Sequence, residues 1–219
     1  LELGTSLGEV AAVLGGGAFA PVRFSEDARR VLADAVSEGN GVLFVSAHLG
    51  SWERVFSTIR GAGFRMVTVA RESYDPRLTQ LYERVRGEGT SLYRGDPRVA
   101  IRAMRRLGRG EIVGMPMDLR TRVPSIVVPF LGQPALVATG PARLALASGA
   151  AVVVGTLAPS TTYLGDRELT IERVTLDSSE GPDRIRDLTA RLSSALSGRI
   201  LALPAAWLWM HDRFREEVG

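Results

Sequence analysis

The feature that most constrains the fold is a regular alternation of short apolar runs with amphipathic helical segments. Residues 42–47 form an almost unbroken apolar run after Gly41, and such a run is typical of a strand buried on both faces. Residues 65–70, 111–116 and 151–157 repeat the signal, and stretches with helical periodicity lie between them. The alternation predicts an α/β domain with a mixed, largely parallel β-sheet flanked by helices.

The chain shows no internal repeat, no low-complexity tract and no linker, so its 219 residues are predicted to form a single domain over 1–219. Residues 1–24 are expected to be a peripheral, N-terminal helical segment. No run reaches the roughly 18 apolar residues that a membrane span needs. Because the chain begins with Leu1, we expect a fragment or a processed chain from which an upstream membrane anchor is absent.

Two helix starts carry recognisable signals. Ser25 precedes the first clear helix and is predicted to be its N-cap. Asp96-Pro97 has the pattern of a cap followed by proline at the first helical position. In the helix after Asp96, the residues expected to face the core are Val99, Ile101, Met104 and Leu107.

Composition excludes several kinds of site. The chain has no cysteine, which excludes disulfides, cysteine-ligated zinc, iron–sulfur clusters and a cysteine nucleophile. All 27 basic residues are arginine, so the lysines of P-loop, kinase and Schiff-base sites are also excluded. Imidazole chemistry is limited to His48 and His211. The net charge of +3 suits anionic groups such as phosphates and does not by itself indicate nucleic acid.

His48 stands where α/β folds place their sites, just after a predicted strand. Gly50 permits close approach of a ligand, and Glu53 in the next helical turn has room to curl back toward the imidazole. Ser51 lies between them as a candidate nucleophile, although the sequence is not a G-x-S-x-G elbow. A His–carboxylate pair without a protein nucleophile deprotonates a substrate hydroxyl directly. A structural, buried histidine is the remaining interpretation of these residues.

The segment His-Leu-Gly-Ser-Trp-Glu at 48–53 resembles the H-x4-[D/E] block of glycerolipid-type acyltransferases. It is most similar to the H-x-G-N-W-E version of the bacterial lipid A lauroyl/myristoyl acyltransferase family. Further similar blocks follow in the same order as in that family: 83–86 with 91–94, 110–113 with Asp118 and 128–132, then 140–145 and 149–150, and the closing P-x-x-W-x-W-x-H-x-R-F pattern at 204–214. Two departures are Ser51, where asparagine is more usual, and residues 119–122, which differ from the common glutamine-rich version.

The resemblance implies a glycerolipid acyltransferase-like fold and transfer of a fatty acyl chain from a thioester to a lipid hydroxyl. His48 would be the general base and Glu53 would orient and charge-stabilise it, without an acyl-enzyme. The donor would be acyl-carrier-protein or acyl-coenzyme A as co-substrate, with no other cofactor, no metal and no nucleic acid. The acceptor would be a lipid such as a lipid A precursor, at the cytoplasmic face of the bacterial inner membrane.

Arginines are the candidate substrate-binding residues. Arg86 matches the family's arginine best, with Arg84 and Arg94 beside it, and Arg71 is a weaker case after another strand. Their planar forks suit a phosphate on the acceptor or on the donor's phosphopantetheine. The predicted binding set also contains Gly50, Ser51 and Asp118. Asp118 is expected at the same sheet edge as His48.

The sequence leaves three alternatives open. The same chemistry would serve a lysophospholipid, a phosphatidylinositol mannoside or an ornithine-type lipid. Ser51 would instead make the protein a serine hydrolase, and a non-catalytic lipid-binding or membrane-docking module needs neither His48 nor Glu53.

Trp207 and Trp209 fit either a membrane interface or core packing, with core packing favoured for at least one of them. A metal site at His48, Glu53 and His211 is disfavoured because no H-E-x-x-H spacing exists.

Overall fold

The computed structural model describes residues 22–86, 90–120, 122–159, 167–175, 183–209 and 214 of the chain. Within these ranges the strands are β1 (Val22–Phe24), β2 (Val42–Ser46), β3 (Met66–Ala70), β4 (Ser91–Tyr93), β5 (Ile112–Pro116), β6 (Ser125–Phe130), β7 (Gln133–Ala138), β8 (Ala151–Pro159) and β9 (Arg167–Val174). The helices are α1 (Glu26–Ser37), α2 (Trp52–Gly61), α3 (Pro76–Arg86), α4 (Val99–Leu107), α5 (Gly140–Ser148) and α6 (Arg184–Ala202). A short 3-10 turn follows at Pro204–Ala206.

The main sheet has seven strands in the order β1-β9-β8-β2-β5-β3-β4. Neighbouring strands are parallel except β8 and β9, which are antiparallel. β6 and β7 form a separate antiparallel hairpin. The predicted single α/β domain with a mixed, largely parallel sheet is confirmed.

The sheet has a hydrophobic core on each face, which explains why its central strand reads as an unbroken apolar run. On β2, Val42 and Phe44 belong to the cluster that includes α1 and α2 residues. Leu43 and Val45 alternate with them and belong to the cluster formed with α5, α6 and the hairpin. Because both faces of β2 are buried, its strand could be read from the sequence without an alternating pattern.

The N-terminal prediction is confirmed at one point and corrected at another. Ser25 caps α1, with the Ala28 N–H donating to its Oγ at 3.3 Å. The helical segment expected over 1–24 lies outside the described residues up to position 21. Its last three residues form β1, which pairs with β9. These residues form a strand rather than a helix because the Val22 and Phe24 side chains pack against the core while the backbone pairs with β9 at the sheet edge.

The helix after Asp96-Pro97 begins later than predicted. α4 starts at Val99, because the Asp96 carboxylate accepts a hydrogen bond from the Arg98 N–H at 2.8 Å and holds a turn there. Leu107 is buried as expected, but Ile101 is exposed, so its predicted place in the core was wrong. The residue that fills the inward position is Ala103, which is fully buried.

The hairpin contains a strand, β7, that the sequence pattern does not predict. β6 matches the predicted strand, and β7 returns along it after a turn at Leu131 and Gly132. Both turn residues have positive φ, 50° and 79°, as the tight two-residue hairpin turn requires. The hairpin lies on α6, where the Ser197 Oγ accepts from the Leu131 N–H and the Ser193 Oγ donates to the Pro129 carbonyl.

Candidate active site

The candidate site begins where two neighbouring parallel strands end. β2 and β5 are paired in register from Val42–Ile112 to Ser46–Pro116. His48 follows β2 by two residues and Asp118 follows β5 by two residues. Because the carboxyl ends of parallel strands meet at one edge, these two side chains are brought together across 70 positions of sequence.

Asp118 holds His48 by two hydrogen bonds. Its Oδ1 lies 2.9 Å from the imidazole Nδ1, and its Oδ2 accepts from the His48 backbone N–H at 2.9 Å. A third bond comes from the indole Nε1–H of Trp207, 2.8 Å from Oδ2. Asp118 is fully buried, whereas the His48 side chain keeps 21% of its surface accessible. The imidazole is therefore fixed on its inner side and open on its outer side.

The electrostatics of this pair favour the charged form of both groups. Burial works to lower the pKa of His48, but the adjacent Asp118 carboxylate, with help from the Glu53 charge, raises that pKa above its ordinary value. Burial likewise opposes ionisation of Asp118, yet the His48 charge and the hydrogen bonds from His48 and Trp207 lower its pKa. An ionised Asp118 accepts the Nδ1 proton, so the lone pair of the ring lies on Nε2.

The loop that carries His48 is held on both sides by backbone hydrogen bonds. The Gly50 N–H donates to the Ala206 carbonyl, and the Leu208 N–H donates to the His48 carbonyl. At Gly50 φ is +60°, and a Cβ would lie 2.5 Å from the Leu157 carbonyl oxygen. Glycine is thus required for the backbone to approach β8 this closely. Gly50 shapes the loop by its contacts with protein, so the predicted contact with a ligand stays a prediction.

Glu53 is engaged by Arg86 in the structure. The Arg86 Nε and Nη2 donate to the two carboxylate oxygens of Glu53 at 2.9 and 2.6 Å, a bidentate pair between α3 and α2. Both side chains are largely buried. The sequence predicts that Glu53 orients the imidazole and that Arg86 grips a phosphate. In the structure the orienting contact comes from Asp118, and the fork of Arg86 is occupied by Glu53, so both expected roles stay predictions.

Two further predicted arginines lie at the same edge. Arg71 follows β3 and Arg94 follows β4, and the Arg94 N–H donates to the Ala70 carbonyl. Partial desolvation, reinforced by the positive charge of Arg71, lowers the pKa of Arg94. Arg94 is also close enough to His48 to oppose protonation of the imidazole. One cation, Arg94, thus lies near the histidine, and a second, Arg71, lies near Arg94.

Arg84 stands apart from this group. It is exposed on α3, two residues before Arg86, and two residues of helix turn a side chain to the other side. Within the described part of the chain no hydrogen bond or ion pair joins it to His48, Asp118 or Glu53. Its predicted substrate contact therefore has no support from the geometry.

Ser51 and Trp52 complete the loop. Ser51 is buried at the start of α2, and its N–H donates to the Leu157 carbonyl at 3.0 Å. The Trp52 ring lies edge-to-face with the His48 ring, 5.4 Å between centroids. The imidazole is therefore flanked by an aromatic wall.

The arrangement is a histidine held through Nδ1 by a buried carboxylate, with the positive charge of Arg94 nearby. The chain matches the family of bacterial lipid A biosynthesis acyltransferases over residues 26–216. It belongs to that family. No curated protein matches the chain. Membership establishes an acyltransferase related to lipid A biosynthesis, with an acyl donor and a lipid acceptor, and indicates association with a membrane. Across the described residues, no helix has the length and hydropathy needed to cross a bilayer.

The family's closing sequence block supplies the contact that the sequence analysis did not foresee. Trp207 is buried, as expected for at least one of the two tryptophans, and its function in the fold is to donate to Asp118. Trp209 is exposed, with its ring 4.6 Å from that of Trp207. The signal available in the sequence was that Trp207, with its indole N–H donor, and Asp118 both stand in blocks of the family resemblance. His211 lies outside the described residues.

Proposed function

We propose that the protein transfers a fatty acyl chain from an acyl thioester, carried by acyl-carrier-protein or coenzyme A, to a hydroxyl of a lipid acceptor such as a lipid A precursor. The observation that carries the proposal is the His48–Asp118 pair, in which the ring is anchored through Nδ1 and accessible on its other side. The thioester serves as co-substrate and the reaction uses no other cofactor. The site would work at the cytoplasmic face of the bacterial inner membrane.

The proposed reaction needs one proton carrier. The Nε2 of His48 takes the proton of the acceptor hydroxyl as its oxygen attacks the thioester carbonyl. The new carbon–oxygen bond forms, the carbon–sulfur bond breaks, and the imidazolium returns the proton to the departing sulfur. Asp118 stays ionised throughout and stabilises the imidazolium through Nδ1. No acyl-enzyme is formed.

Glu53 contributes charge to this scheme. Its carboxylate favours the imidazolium, while the bond to Arg86 fixes α3 against α2. We assign the anion-binding role of the predicted arginine set chiefly to Arg71 and Arg94. In the described part of the chain neither guanidinium has a carboxylate partner; Arg94 acts on the His48 imidazole, and Arg71 acts in turn on Arg94. They would hold a phosphate of the donor's pantetheine arm or of the acceptor headgroup.

A labelled-acyl transfer assay tests the proposal. Acyl-carrier-protein and acyl-coenzyme A donors are offered separately with a total bacterial lipid extract, to the wild type and to His48→Ala. We expect a labelled lipid with the wild type and a loss of about a thousandfold in His48→Ala, in line with removal of a general base. The labelled product identifies the acceptor. Equal transfer by both proteins would contradict a catalytic role for His48.

Ser51→Ala separates direct transfer from a serine hydrolase. Because Ser51 is buried and held by its backbone to β8, we expect Ser51→Ala to keep most of the transfer activity. Abolition of thioester cleavage in Ser51→Ala, with the fold intact by circular dichroism, would favour the hydrolase instead. The non-catalytic interpretation predicts no turnover in any of the three proteins.

The arginine pair is tested by kinetics. Arg71→Gln with Arg94→Gln removes two cations beside the site, and we expect KM for the phosphate-bearing substrate to rise about tenfold or more, with a smaller change in kcat. The matched control is Arg105→Gln, an exposed arginine on α4. The effect should shrink at high ionic strength, since exposed charges are screened. An unchanged KM for both substrates would remove this role from the pair.

A further inference from the structure

Large exposed apolar side chains are concentrated at the sheet edge where the candidate site lies. Tyr74 stands in the segment after β3 and is 92% exposed. Ile101 lies in the first turn of α4, shortly after β4, and Val123 follows β5. Each of these exposed residues thus follows the carboxyl end of a parallel strand, as His48 and Asp118 do.

The outer face of the hairpin is also apolar. Val127 and Leu136 are directly paired across β6 and β7 and are 51% and 40% exposed. The next outward pair, Pro129 and Pro134, is exposed as well. A hairpin with one solvated face normally alternates apolar and polar residues, so an outward face of valine, leucine and proline indicates a partner surface.

The chain's last described segments add to the same edge. α6 follows β9, which is antiparallel to β8, so α6 runs back toward the carboxyl ends of the parallel strands. Leu201, in its last turn, and Trp209, beyond the 3-10 turn, are exposed there. Phe214 is exposed and lies beside Phe130, which itself contacts Trp207.

The opposite edge of the sheet has a different character. The turns that lead into β2, β3 and β5 present polar and glycine residues, with Asn40, Arg65 and Arg109 exposed. None of the exposed large apolar side chains in the described ranges lies at those turns. The molecule is therefore polarised along the strand direction.

Charge accompanies the apolar residues at the site edge. The segments 71–77, 94–102 and 119–123 together contain seven arginines and three acidic residues. Two of those acids, Asp75 and Asp96, are already paired with Arg77 and Arg102. The Arg71 guanidinium lies over the Tyr74 ring, 4.5 Å from its centroid, so cation and aromatic are presented together. Apolar side chains among surplus arginines are complementary to an anionic lipid interface.

We propose that this edge, together with the outer face of the hairpin, is the surface the protein lays against an anionic bilayer. We call this surface the docking face: Tyr74, Ile101, Val123, Val127, Leu136 and Trp209. The inference rests on the proposed function in one respect, that the acceptor is a lipid. Docking by this face turns the open side of His48 toward the bilayer, so that an acceptor hydroxyl reaches the base without the lipid leaving the membrane.

Vesicle binding tests the docking face without turnover. Sedimentation is measured with vesicles of equal parts phosphatidylglycerol and phosphatidylcholine, and with phosphatidylcholine alone. Val127→Glu with Leu136→Glu, and separately Tyr74→Glu with Ile101→Glu, should each weaken binding to the anionic vesicles about tenfold. Ala33→Glu with Asn40→Glu adds the same charge at exposed positions on α1 and at the opposite edge, and should bind as the wild type does. Thermal melts confirm that all variants fold.

The remaining outcomes overturn the proposal or separate it from the reaction. Equal vesicle binding by the wild type and both docking-face pairs, or no binding by the wild type, overturns it. A dimer that dissociates in Val127→Glu with Leu136→Glu while vesicle binding stays unchanged assigns the face to a second copy, which also overturns it. His48→Ala should bind vesicles normally. If the vesicle pattern holds and no acyl transfer occurs, docking stands and the proposed function fails.

Discussion

The two carboxylates that act on His48 are held in different ways, one in the interior and one near the rim. Asp118 is fully buried, and its three described hydrogen bonds all come from N–H donors: the imidazole, a backbone amide and an indole. Glu53 lies on the first turn of α2 and is gripped by the charged fork of Arg86. Asp118 thus acts on the ring by a directed bond, and Glu53 acts on it by charge.

In this site one carboxylate orients the imidazole of His48 and the other supplies negative charge near it. The directed bond to Nδ1 decides which nitrogen carries the proton, and this decision needs a fixed geometry. The charge of Glu53 only adjusts how readily the ring is protonated, and a nearby cation partly cancels it. Loss of Asp118 should therefore change the tautomer of the imidazole, whereas loss of Glu53 should change its pKa.

The largest expected effect is that of Asp118→Asn. The Oδ2 of Asp118 accepts from the His48 and Trp207 N–H groups, which are only donors, so an asparagine would place its oxygen there and its amide NH2 against Nδ1. The ring would then carry its proton on Nε2 and lose its function as a base. We expect kcat to fall about a thousandfold, as with loss of the general base itself in His48→Ala.

A comparison with Asp118→Ala sharpens that test. Alanine leaves the ring free to choose its tautomer, so per folded molecule it should be no worse than asparagine, although the unpaired N–H groups lower its stability by roughly 1–3 kcal/mol. Asp96→Asn, at an exposed ion pair, is the matched control. Full activity in Asp118→Asn would show that the Nδ1 bond does not matter for the reaction.

The same pair predicts a dependence of stability on pH. Because the pKa of His48 is raised in the folded state, its contribution is fully present below the ordinary value of 6.5 and is lost as pH rises through the raised value. The lowered pKa of Asp118 makes its contribution present above 3.8 and lost as pH falls through the lowered value. Denaturant titrations of the wild type should show both losses. In Asp118→Asn the loss above pH 6.5 should be absent, and its persistence would contradict the pairing.

Glu53→Gln is expected to have a smaller effect. Removing the charge should lower the pKa of His48 and shift the acidic limb of the pH–rate profile to lower pH, with a loss of about tenfold in kcat. Arg86→Gln alone frees the Glu53 charge and should shift that limb the other way. If Glu53→Gln abolished activity as fully as His48→Ala, the orienting role expected from the sequence would be restored to Glu53.

The sequence predicted which site residues lie at the sheet edge better than it predicted the contacts between them. His48 could be placed at a strand end because β2 is a continuous apolar run, and Asp118 could be placed at the same edge for the same reason. Their bond could not be foreseen, because it depends on β5 lying next to β2 although two strands and three helices separate them in the chain. Glu53 looked like the partner because sequence nearness is visible and sheet order is not.

The errors in the fold have the same origin. Ile101 was expected to face the core, but it lies two residues from both Val99 and Ala103, on the opposite side of α4 from the buried stripe. β7 carries one proline and one glutamine and lacks a strong strand signal, so only its pairing with β6 and its packing on α6 make it a strand. Local pattern decides an element when both its faces are buried, and tertiary contacts decide it otherwise.

The smallest expected effect is that of Trp207→Phe. Phenylalanine keeps the ring against Phe130 but removes the N–H that reaches Asp118, while the backbone N–H of His48 still occupies the same oxygen. We expect a stability loss of about 1.5–3 kcal/mol, the usual contribution of one hydrogen bond to a charged group. The rate should fall only about threefold, because the Nδ1 bond that sets the tautomer is intact. Trp209→Phe, whose indole bonds only the Pro204 carbonyl, is the matched control for loss of an indole donor. A loss in Trp207→Phe as large as that in Asp118→Asn would mean that the indole, rather than the strand ends alone, holds the carboxylate in position against the ring.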